Sequence, residues 1–322
     1  MNSAQSSSLA PRKRFSLRRE ARKQSPFYLM MLPGILCIFI FAYIPMAGTV
    51  LAFKDYSPKQ GVFGSDWMDP LFKNFEFFFK SDTARMVTVN TLVYNIIIAV
   101  LVTVIALTLS ILLNEVRKKS VSATYKGALL LPTFLSWVVI QYIVFALLSV
   151  DRGIVNRMLV ASGNEAIYWY SEPSYWRIIM PAAYVWKNVG YYSVLYVAAI
   201  AGISTDYYEA ASLDGATHMQ QVRYITLPLL RPTVIVLLLL WVGKLFNGGL
   251  GDWNAFYTLP NDAGALYKAT DVIDTLVYRS LKKVNDYGMS AAVALYQSVI
   301  GLVLVSASNL IIKKFDPDSA LF

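Results

Sequence analysis

Two lysines lie within long apolar segments of this sequence, where charged side chains are rare. Lys187 directly precedes Asn188, and Lys244 stands shortly before Asn247. A charge at the centre of a membrane-spanning helix costs about 2.5–3.5 kcal/mol on insertion scales, so each lysine is expected to face a bundle interior or an aqueous path. One interpretation is contact with an oxygen-rich, anionic ligand. The alternatives are hydrogen bonds between helices and, for Lys244, extension of the ammonium to the outer interface.

Aromatic and amide side chains accompany both lysines. Aromatic rings can stack on the apolar faces of sugar rings, while neighbouring polar groups bond to the hydroxyls. The sequence therefore predicts a path for a polar ligand, the alternative being ordinary packing or an interfacial aromatic belt. The candidates for this path are Trp137, Gln141, Tyr142, Tyr184, Trp186, Lys187, Asn188, Tyr191, Tyr192, Lys244 and Asn247. Asn90, Asn95 and Gln297 can line it too, or bond across helices, a contact worth about 0.6 kcal/mol.

The segment between the fourth and fifth apolar runs is polar and is typical of two short helices joined by a turn. Asp206 is the predicted N-cap of the first helix, with Glu209 at the capping-box position. Gly215 can adopt the left-handed conformation that ends this helix. The second helix is predicted over residues 217–225, and Pro228 separates it from the next apolar run. The segment is too polar for lipid and is expected on the membrane surface.

The other reactive side chains do not form a pattern of catalysis or metal binding. His218 is the sole histidine and is expected at a surface or a subunit contact, and Cys37 is the sole cysteine. Asp271 and Asp274 can share a helix face, but without a further ligand they are expected on a solvated or partner-facing surface. The chain lacks the G-x-x-x-x-G-K-[ST] phosphate loop, so it cannot bind ATP by that route.

The composition indicates which elements must position these groups. Of the 322 residues, 56% are hydrophobic and 15% are charged, against about 25% charged in ordinary soluble domains. Continuous apolar runs long enough to cross a bilayer favour helices over the alternating strands of a barrel. The sequence predicts an all-α membrane protein with six transmembrane helices, at residues 27–53, 87–113, 127–150, 178–203, 232–247 and 287–312.

Basic residues set the predicted orientation. The tail 1–26 is strongly basic, which is typical of a cytoplasmic anchor, whereas no recognisable fold supports nucleic-acid binding. Both termini are therefore predicted in the cytoplasm. The first run is too long for a signal peptide and is interpreted as an uncleaved span. The domains are the tail 1–26, the six-helix domain 27–312 with its cytoplasmic loop 204–231, and the tail 313–322. The outside segments 54–86 and 248–286 are candidate contacts for a partner protein. Trp253, Phe256 and Tyr257 in the second are candidates for this contact or for anchors at the membrane interface.

The polar loop resembles the EAA loop of permease subunits in ABC importers. The match comprises Glu209, Ala210, Ala211, Asp214, Gly215, Ala216, Ile225, Leu227 and Pro228. The resemblance implies the type I importer permease fold, in the cytoplasmic (inner) membrane. It also implies that the loop forms a coupling helix in a cleft of an ATP-binding subunit, with Glu209 paired to a basic residue there and Gly215 at the bend.

The resemblance also implies the other components. Two ATP-binding subunits use ATP and Mg, so this chain itself binds no cofactor and is not catalytic. A second, different permease subunit and an extracytoplasmic solute-binding protein complete the importer. Residues 271–279 and 292–301 are similar to the carbohydrate-uptake group, most of all to the subgroup for complex oligosaccharides and polysaccharide fragments. Lys187 and Lys244 would suit an acidic cargo such as a uronic-acid oligosaccharide.

Three alternatives stay open at this point. The chain could be an ABC permease for a different class of solute. A membrane-embedded glycosyl or lipid transferase would need clustered acids or histidines at the membrane surface, and the sequence offers only scattered ones. A secondary carrier would show paired repeats and broken helices, and neither is visible in the sequence.

Overall fold

A computed structural model of the chain describes residues 17–116, 118–246 and 254–315. The chain divides into two units, Met1–Val50 and Leu51–Phe322. In the first unit, helix α1 spans Leu17–Ile38 and continues through a π turn at Phe39–Tyr43 into α2 at Ile44–Met46. From Phe27 onward most of the large apolar side chains of this unit are exposed, as suits a helix whose solvent is lipid.

The second unit begins with a small hairpin and a short helix. Strand β1, Lys54–Asp55, pairs antiparallel with strand β2, Asp66–Trp67, and α3, Gly61–Gly64, lies between them. Helix α4 follows at Lys73–Lys80. Asn74 of α4 donates hydrogen bonds to backbone carbonyl oxygens just before and within β1, which holds the hairpin against the helix.

Two long helices form the centre of the second unit. Helix α5 spans Asp82–Asn114, and the hydroxyl of Ser81 accepts a hydrogen bond from the N–H of Ala84 at 3.1 Å, which caps its first turn. Helix α9 spans Pro173–Ala201. Residues that recur at every fourth position lie on one face of a helix. Such rows from both helices pack in one core: Tyr94, Ile98, Val102 and Ala106 of α5 with Trp176, Met180 and Tyr184 of α9.

The third apolar run was expected to form one helix over residues 127–150, and that expectation is wrong. Helix α6, Lys119–Leu130, continues as a 3₁₀ turn at Leu131–Phe134, and helix α7, Trp137–Leu148, then leaves at 96° to it. Pro132 within the 3₁₀ turn supplies no N–H to a helical ladder. Ser136 has extended backbone and caps α7 by accepting a hydrogen bond from the N–H of Val139 at 3.3 Å. The pattern of apolar residues alone does not predict this break, because it continues through it.

The polar loop contains α10, Thr205–Leu213, and α11, His218–Gln221. The second helix was expected to end before Pro228, but α11 passes through a π turn at Val222–Thr226 directly into α12, Leu227–Gly243. The wider π turn accommodates the ring and the missing N–H of Pro228, which would disrupt a regular α-helix at this place. The loop is therefore continuous with the fifth apolar helix.

In the described part of the chain, the remaining helices are α8, Ile154–Ala161, before α9, and a short series after α12. That series comprises α13, Asn254–Thr258, α14, Tyr267–Thr270, and α15, Ile273–Arg279. Helix α16, Tyr287–Phe315, ends the described part of the chain.

Within the described residues, four helices are long and apolar enough to cross a membrane: Ser25–Phe53, Asp82–Asn114, His218–Gly243 and Tyr287–Lys314. The bent pair of α6 and α7 raises this number to five if it forms one span. The predicted fourth span falls on α9, a 29-residue helix that carries Arg177 and Lys187. Six spans and cytoplasmic termini stay predictions.

Candidate functional site

A cavity of about 360 Å³ lies between α9 and α12, beside the break in the third apolar run. Its wall combines a cation, an amide, hydroxyls and aromatic rings with a few aliphatic side chains. Of the predicted path, Asn188, Tyr191, Tyr192 and Lys244 are brought together in this wall. The full lining is Thr133, Asn188, Tyr191, Tyr192, Leu195, Leu237, Leu240, Trp241 and Lys244.

The aromatic part of the wall is held by contacts between α9 and α12. The indole N–H of Trp241 donates a hydrogen bond to the hydroxyl of Tyr192 at 3.0 Å, and the two ring centroids lie 5.6 Å apart. Tyr191 packs edge-on against Tyr192 but is about half exposed. One ring is thus fixed and its neighbour stays accessible, an arrangement that suits stacking on a ligand ring.

Lys187 lies in the break of the third apolar run, and it is not part of the cavity lining. Its ammonium donates hydrogen bonds to the carbonyl oxygens of Thr133 at 2.8 Å and Leu135 at 2.7 Å, and it is 5.4 Å from the ring of Trp137. The side chain is buried. This geometry favours the alternative of hydrogen bonding between helices over contact with a ligand.

The other predicted path residues are spread over different environments. Trp137 and Tyr184 are buried against each other, with ring centroids 5.5 Å apart. Gln141 donates a hydrogen bond to the side-chain oxygen of Asn261 at 2.8 Å. Tyr142 and Trp186 are exposed. Asn247, like Trp253, lies outside the described residues. Asn90, Asn95 and Gln297 all donate to backbone carbonyl oxygens of other segments, which favours the cross-helix alternative.

The loop with the EAA pattern is a hairpin of α10 and α11 held by side-chain bonds. Ser204, rather than the expected Asp206, is the N-cap of α10. Gly215 has φ of +78°, as predicted, and makes the turn. The hydroxyls of Tyr208 and Thr226 lie 2.9 Å apart, and Gln221 donates to the hydroxyl of Ser212 at 2.8 Å. Thr217 and Gln220 form a capping box for α11.

The outer surface of this hairpin presents the predicted coupling residues. Glu209, Ala210, Asp214, Gly215, Leu227 and Pro228 are exposed, whereas Ala211, Ala216 and Ile225 are half-buried. Leu213 at the tip is 90% exposed, and Met219 is also exposed. Large apolar side chains outside the lipid and at the tip of a polar loop are suited to a protein contact.

The hairpin is also tied to the end of α5. The Nε2 atom of His218 lies 2.8 Å from a carboxylate oxygen of Glu115. A cavity of about 440 Å³, lined by Asn114, Tyr208, Gln221 and their neighbours, lies beside this pair. The sequence placed His218 at a surface or subunit contact but could not identify Glu115, because the two residues are far apart in the chain.

The segment between α12 and α16 differs most from expectation. Asp271 was expected on a solvated or partner-facing surface, but it is buried and forms an ion pair with Arg279. Arg279 also lies 3.3 Å from Asp262, which binds Lys283 at 2.6 Å. Phe256, a candidate for a partner-facing platform, is buried against Tyr94. The acids and the aromatic ring serve internal packing because this segment folds back onto α5.

Charge partners shift the titration of Asp262. Partial burial raises the pKa of this carboxyl, but hydrogen bonds from Lys283 and Tyr267 and the charge of Arg279 outweigh burial, so the pKa is lowered. Among the described residues, no group of three or more His, Cys, Asp and Glu side chains could hold a metal ion.

Comparison with known proteins identifies the family. The family described as binding-protein-dependent transport system inner membrane component matches residues 103–317. Protein LplB of Bacillus subtilis (strain 168) is 35% identical over 292 residues, which cover 90% of this chain and 89% of LplB. The polygalacturonan/rhamnogalacturonan transport system permease protein YteP of the same organism is 33% identical over 293 residues, covering 91% and 89%.

Two solved structures have the same fold. The crystal structure of a bacterial alginate ABC transporter in complex with alginate pentasaccharide-bound periplasmic protein matches with a TM-score of 0.82 and 29% identity, covering 93% of this chain and 98% of that one. The crystal structure of a bacterial ABC transporter involved in the import of the acidic polysaccharide alginate matches with a TM-score of 0.83 and 30% identity, covering 93% and 99%.

These relatives confirm that the chain has the all-α, type I importer permease fold. They also confirm that it is a multi-pass membrane protein and a non-catalytic subunit of a transporter. They decide against a membrane-embedded transferase and a secondary carrier. The chain therefore belongs to the family of binding-protein-dependent transport system inner membrane components and is a permease subunit of an ABC importer for oligosaccharides.

Proposed function

We propose that this permease passes an acidic oligosaccharide, such as a uronic-acid oligomer, into the cytoplasm through the cavity between α9 and α12. The observation that carries the proposal is the position of Lys244 in a cavity wall that also holds Asn188, Thr133 and the accessible ring of Tyr191. A cation with amide and hydroxyl partners suits carboxylate and hydroxyl groups, and an aromatic ring suits the apolar face of a sugar. The volume of this cavity lies within the range of about 300–1,000 Å³ that is typical of small-molecule binding sites.

The relatives support an acidic cargo. The name of YteP gives polygalacturonan and rhamnogalacturonan as its substrates, and the solved structures are described as transporters of the acidic polysaccharide alginate. Polygalacturonan and alginate both carry a carboxylate on their sugar units, so one intramembrane cation in the path would offset part of the cost of moving such a chain through an apolar region.

In this proposal, two separate subunits bind ATP and Mg, and their hydrolysis of ATP drives the movement of the oligosaccharide. The exposed face of the α10–α11 hairpin, from Glu209 to the tip at Leu213, is the proposed contact with one of them. Since the hairpin continues directly into α12, a pull on the hairpin is transmitted to a helix of the cavity wall. The further proposed partners are a second, different permease subunit and a solute-binding protein outside the cytoplasmic membrane.

Lys244→Met tests the cargo. In proteoliposomes that contain the complete importer and its binding protein, uptake of tri-galacturonate is compared with uptake of a neutral trisaccharide. We expect the uptake of the acidic sugar to fall about tenfold or more, as for the loss of one charged partner. The uptake of the neutral sugar should change little. Lys244→Arg, which keeps the charge, should retain acidic uptake, and Lys282→Met provides a matched control at an exposed lysine. If Lys244→Met changes the uptake of both sugars by the same factor relative to the parent, the cavity does not select for charge.

A further inference from the structure

The break between α6 and α7 leaves backbone carbonyl groups in an apolar part of the protein. Leu135 and Ser136 have extended backbone, with ψ of 136° and 154°, so the helical ladder stops between the 3₁₀ turn and α7. Carbonyl oxygens at the end of a helix have no intrahelical N–H to accept from. Water, the usual substitute partner, is absent from the hydrocarbon region of a bilayer.

Helix α9 supplies the missing donor. The ammonium of Lys187 donates to the carbonyl oxygens of Thr133 and Leu135, one on each side of Phe134, and the hydroxyl of Thr133 donates to the carbonyl oxygen of Lys187 at 2.8 Å. An ammonium has three donors and no acceptor, so it can serve two carbonyl groups at once. A methionine side chain at this position would have no donor for either carbonyl oxygen.

The approach of the two segments is close along the next turn of α9. A Cβ atom added to Gly190 would lie 1.8 Å from the carbonyl oxygen of Leu129, at the end of α6. Backbone contact at Gly190 and the three hydrogen bonds around Lys187 therefore fix α9 against the last turn before the break. Thr133, which belongs to this turn, also lines the cavity.

We propose that Lys187 is a positioning residue that holds the break in the third apolar run and thereby the Thr133 side of the cavity, and that it does not recognise the charge of the cargo. Charge selection then belongs to Lys244 alone of the two intramembrane lysines. Only the use of the cavity for transport rests on the function proposed above. The assignment of Lys187 to the break rests on the hydrogen bonds themselves.

The first measurement separates positioning from charge recognition. Uptake of tri-galacturonate and of a neutral trisaccharide is measured for Lys187→Met, with Lys187→Arg as the charge-conserving variant and Lys244→Met as the comparison. We expect Lys187→Met to lower the uptake of both sugars by the same factor, about tenfold or more, and Lys187→Arg to restore part of it. A selective loss of acidic uptake in Lys187→Met would overturn the proposal.

The second measurement reports on the break without transport. Ile140 in the first turns of α7 is buried, so Ile140→Cys in a Cys37→Ser background should react slowly with a maleimide. The Lys187→Met change should increase this rate about tenfold or more, Lys187→Arg much less, and Lys244→Met not at all. An unchanged rate in Lys187→Met would overturn the proposal.

Two further outcomes are distinguishable. If the importer with the natural sequence takes up neither sugar, the proposed function fails, while the labelling rates still decide the role of Lys187. If Lys187→Met cannot be recovered as folded protein, Lys187→Gln, which shortens the side chain and removes its charge, must still raise the labelling rate. A rate equal to that of the parent would then contradict the proposal.

Discussion

Lys187 and Thr133 exchange hydrogen bonds in both directions. The ammonium of Lys187 donates to the carbonyl oxygen of Thr133, and the hydroxyl of Thr133 donates to the carbonyl oxygen of Lys187, each at 2.8 Å. This reciprocal pair joins the centre of α9 to a break in the neighbouring apolar segment. A lysine within the membrane is therefore not in itself a sign of ligand contact, because backbone carbonyl groups at a helix break are an equally suitable partner.

The close approach of α9 to α6 gives a test of packing. Gly190→Ala places a methyl group 1.8 Å from the carbonyl oxygen of Leu129, so α9 must shift, and we expect a loss of about 1–3 kcal/mol in the free energy of unfolding. Thermal unfolding of the purified protein in detergent measures this loss. Gly127→Ala is the matched control in α6, since nothing lies within 4 Å of its added methyl group. Equal stability of the two variants would contradict the packing described for Gly190.

Coupling to ATP hydrolysis is tested at the exposed face of α10. Glu209→Ala in the complete importer should abolish the stimulation of ATP hydrolysis by the loaded binding protein, because the proposed ion pair with the ATP-binding subunit is lost. The measurement is ATPase activity with and without loaded binding protein. Asp206→Ala removes an exposed acid from the same helix and should keep normal stimulation. Normal stimulation in Glu209→Ala would rule out its coupling role.

The network around Asp262 predicts a dependence of stability on pH. The folded protein lowers the pKa of Asp262, since its bonds to Lys283 and Tyr267 and the charge of Arg279 outweigh partial burial. Because the pKa of Asp262 is lower in the folded than in the unfolded chain, its ionised carboxylate stabilises the fold. This stabilisation is fully present above the pKa of the unfolded chain, about 3.9, and is lost as the pH falls through the pKa of the folded protein. Asp262→Asn should thus have a lower Tm than the parent at pH 6, and the difference should shrink below about pH 4. A difference in Tm that stays constant from pH 6 to pH 3 would contradict this assignment.

Much of the architecture could be predicted from the order of residue types. The first, second, fifth and sixth apolar runs overlap helices long enough to cross a membrane, although the fifth helix spans His218–Gly243 rather than 232–247. The EAA pattern begins on an exposed hairpin with Gly215 at positive φ. The prediction that the third run forms a single helix was wrong. Pro132 and Ser136 were visible signals for its break, but each is tolerated within many membrane helices, so their effect depends on a neighbour that can satisfy the freed carbonyl groups.

The candidate site could be predicted only in part. Lys187 and Lys244 were both predicted within membrane spans, yet one lies in the helix break and the other lines the cavity. Asp271 was expected on a surface and is buried against Arg279. The partners of Lys187 belong to another element, whereas Asp271 and Arg279 lie only eight residues apart and are paired along α15.

The sequence by itself determined that the chain lies in a membrane, that it is helical, and that it carries a polar loop with the EAA pattern but no G-x-x-x-x-G-K-[ST] phosphate-binding loop. These properties depend on local apolar content and on residues close together in the chain. The tertiary structure decided which side chains share the cavity, which lysine is held by backbone carbonyl groups, and which acids are paired inside the protein. The physical reason is that the rotation and contact of helices set these pairings, and residues far apart in the chain, such as Thr133 and Lys187, meet only after the helices have packed.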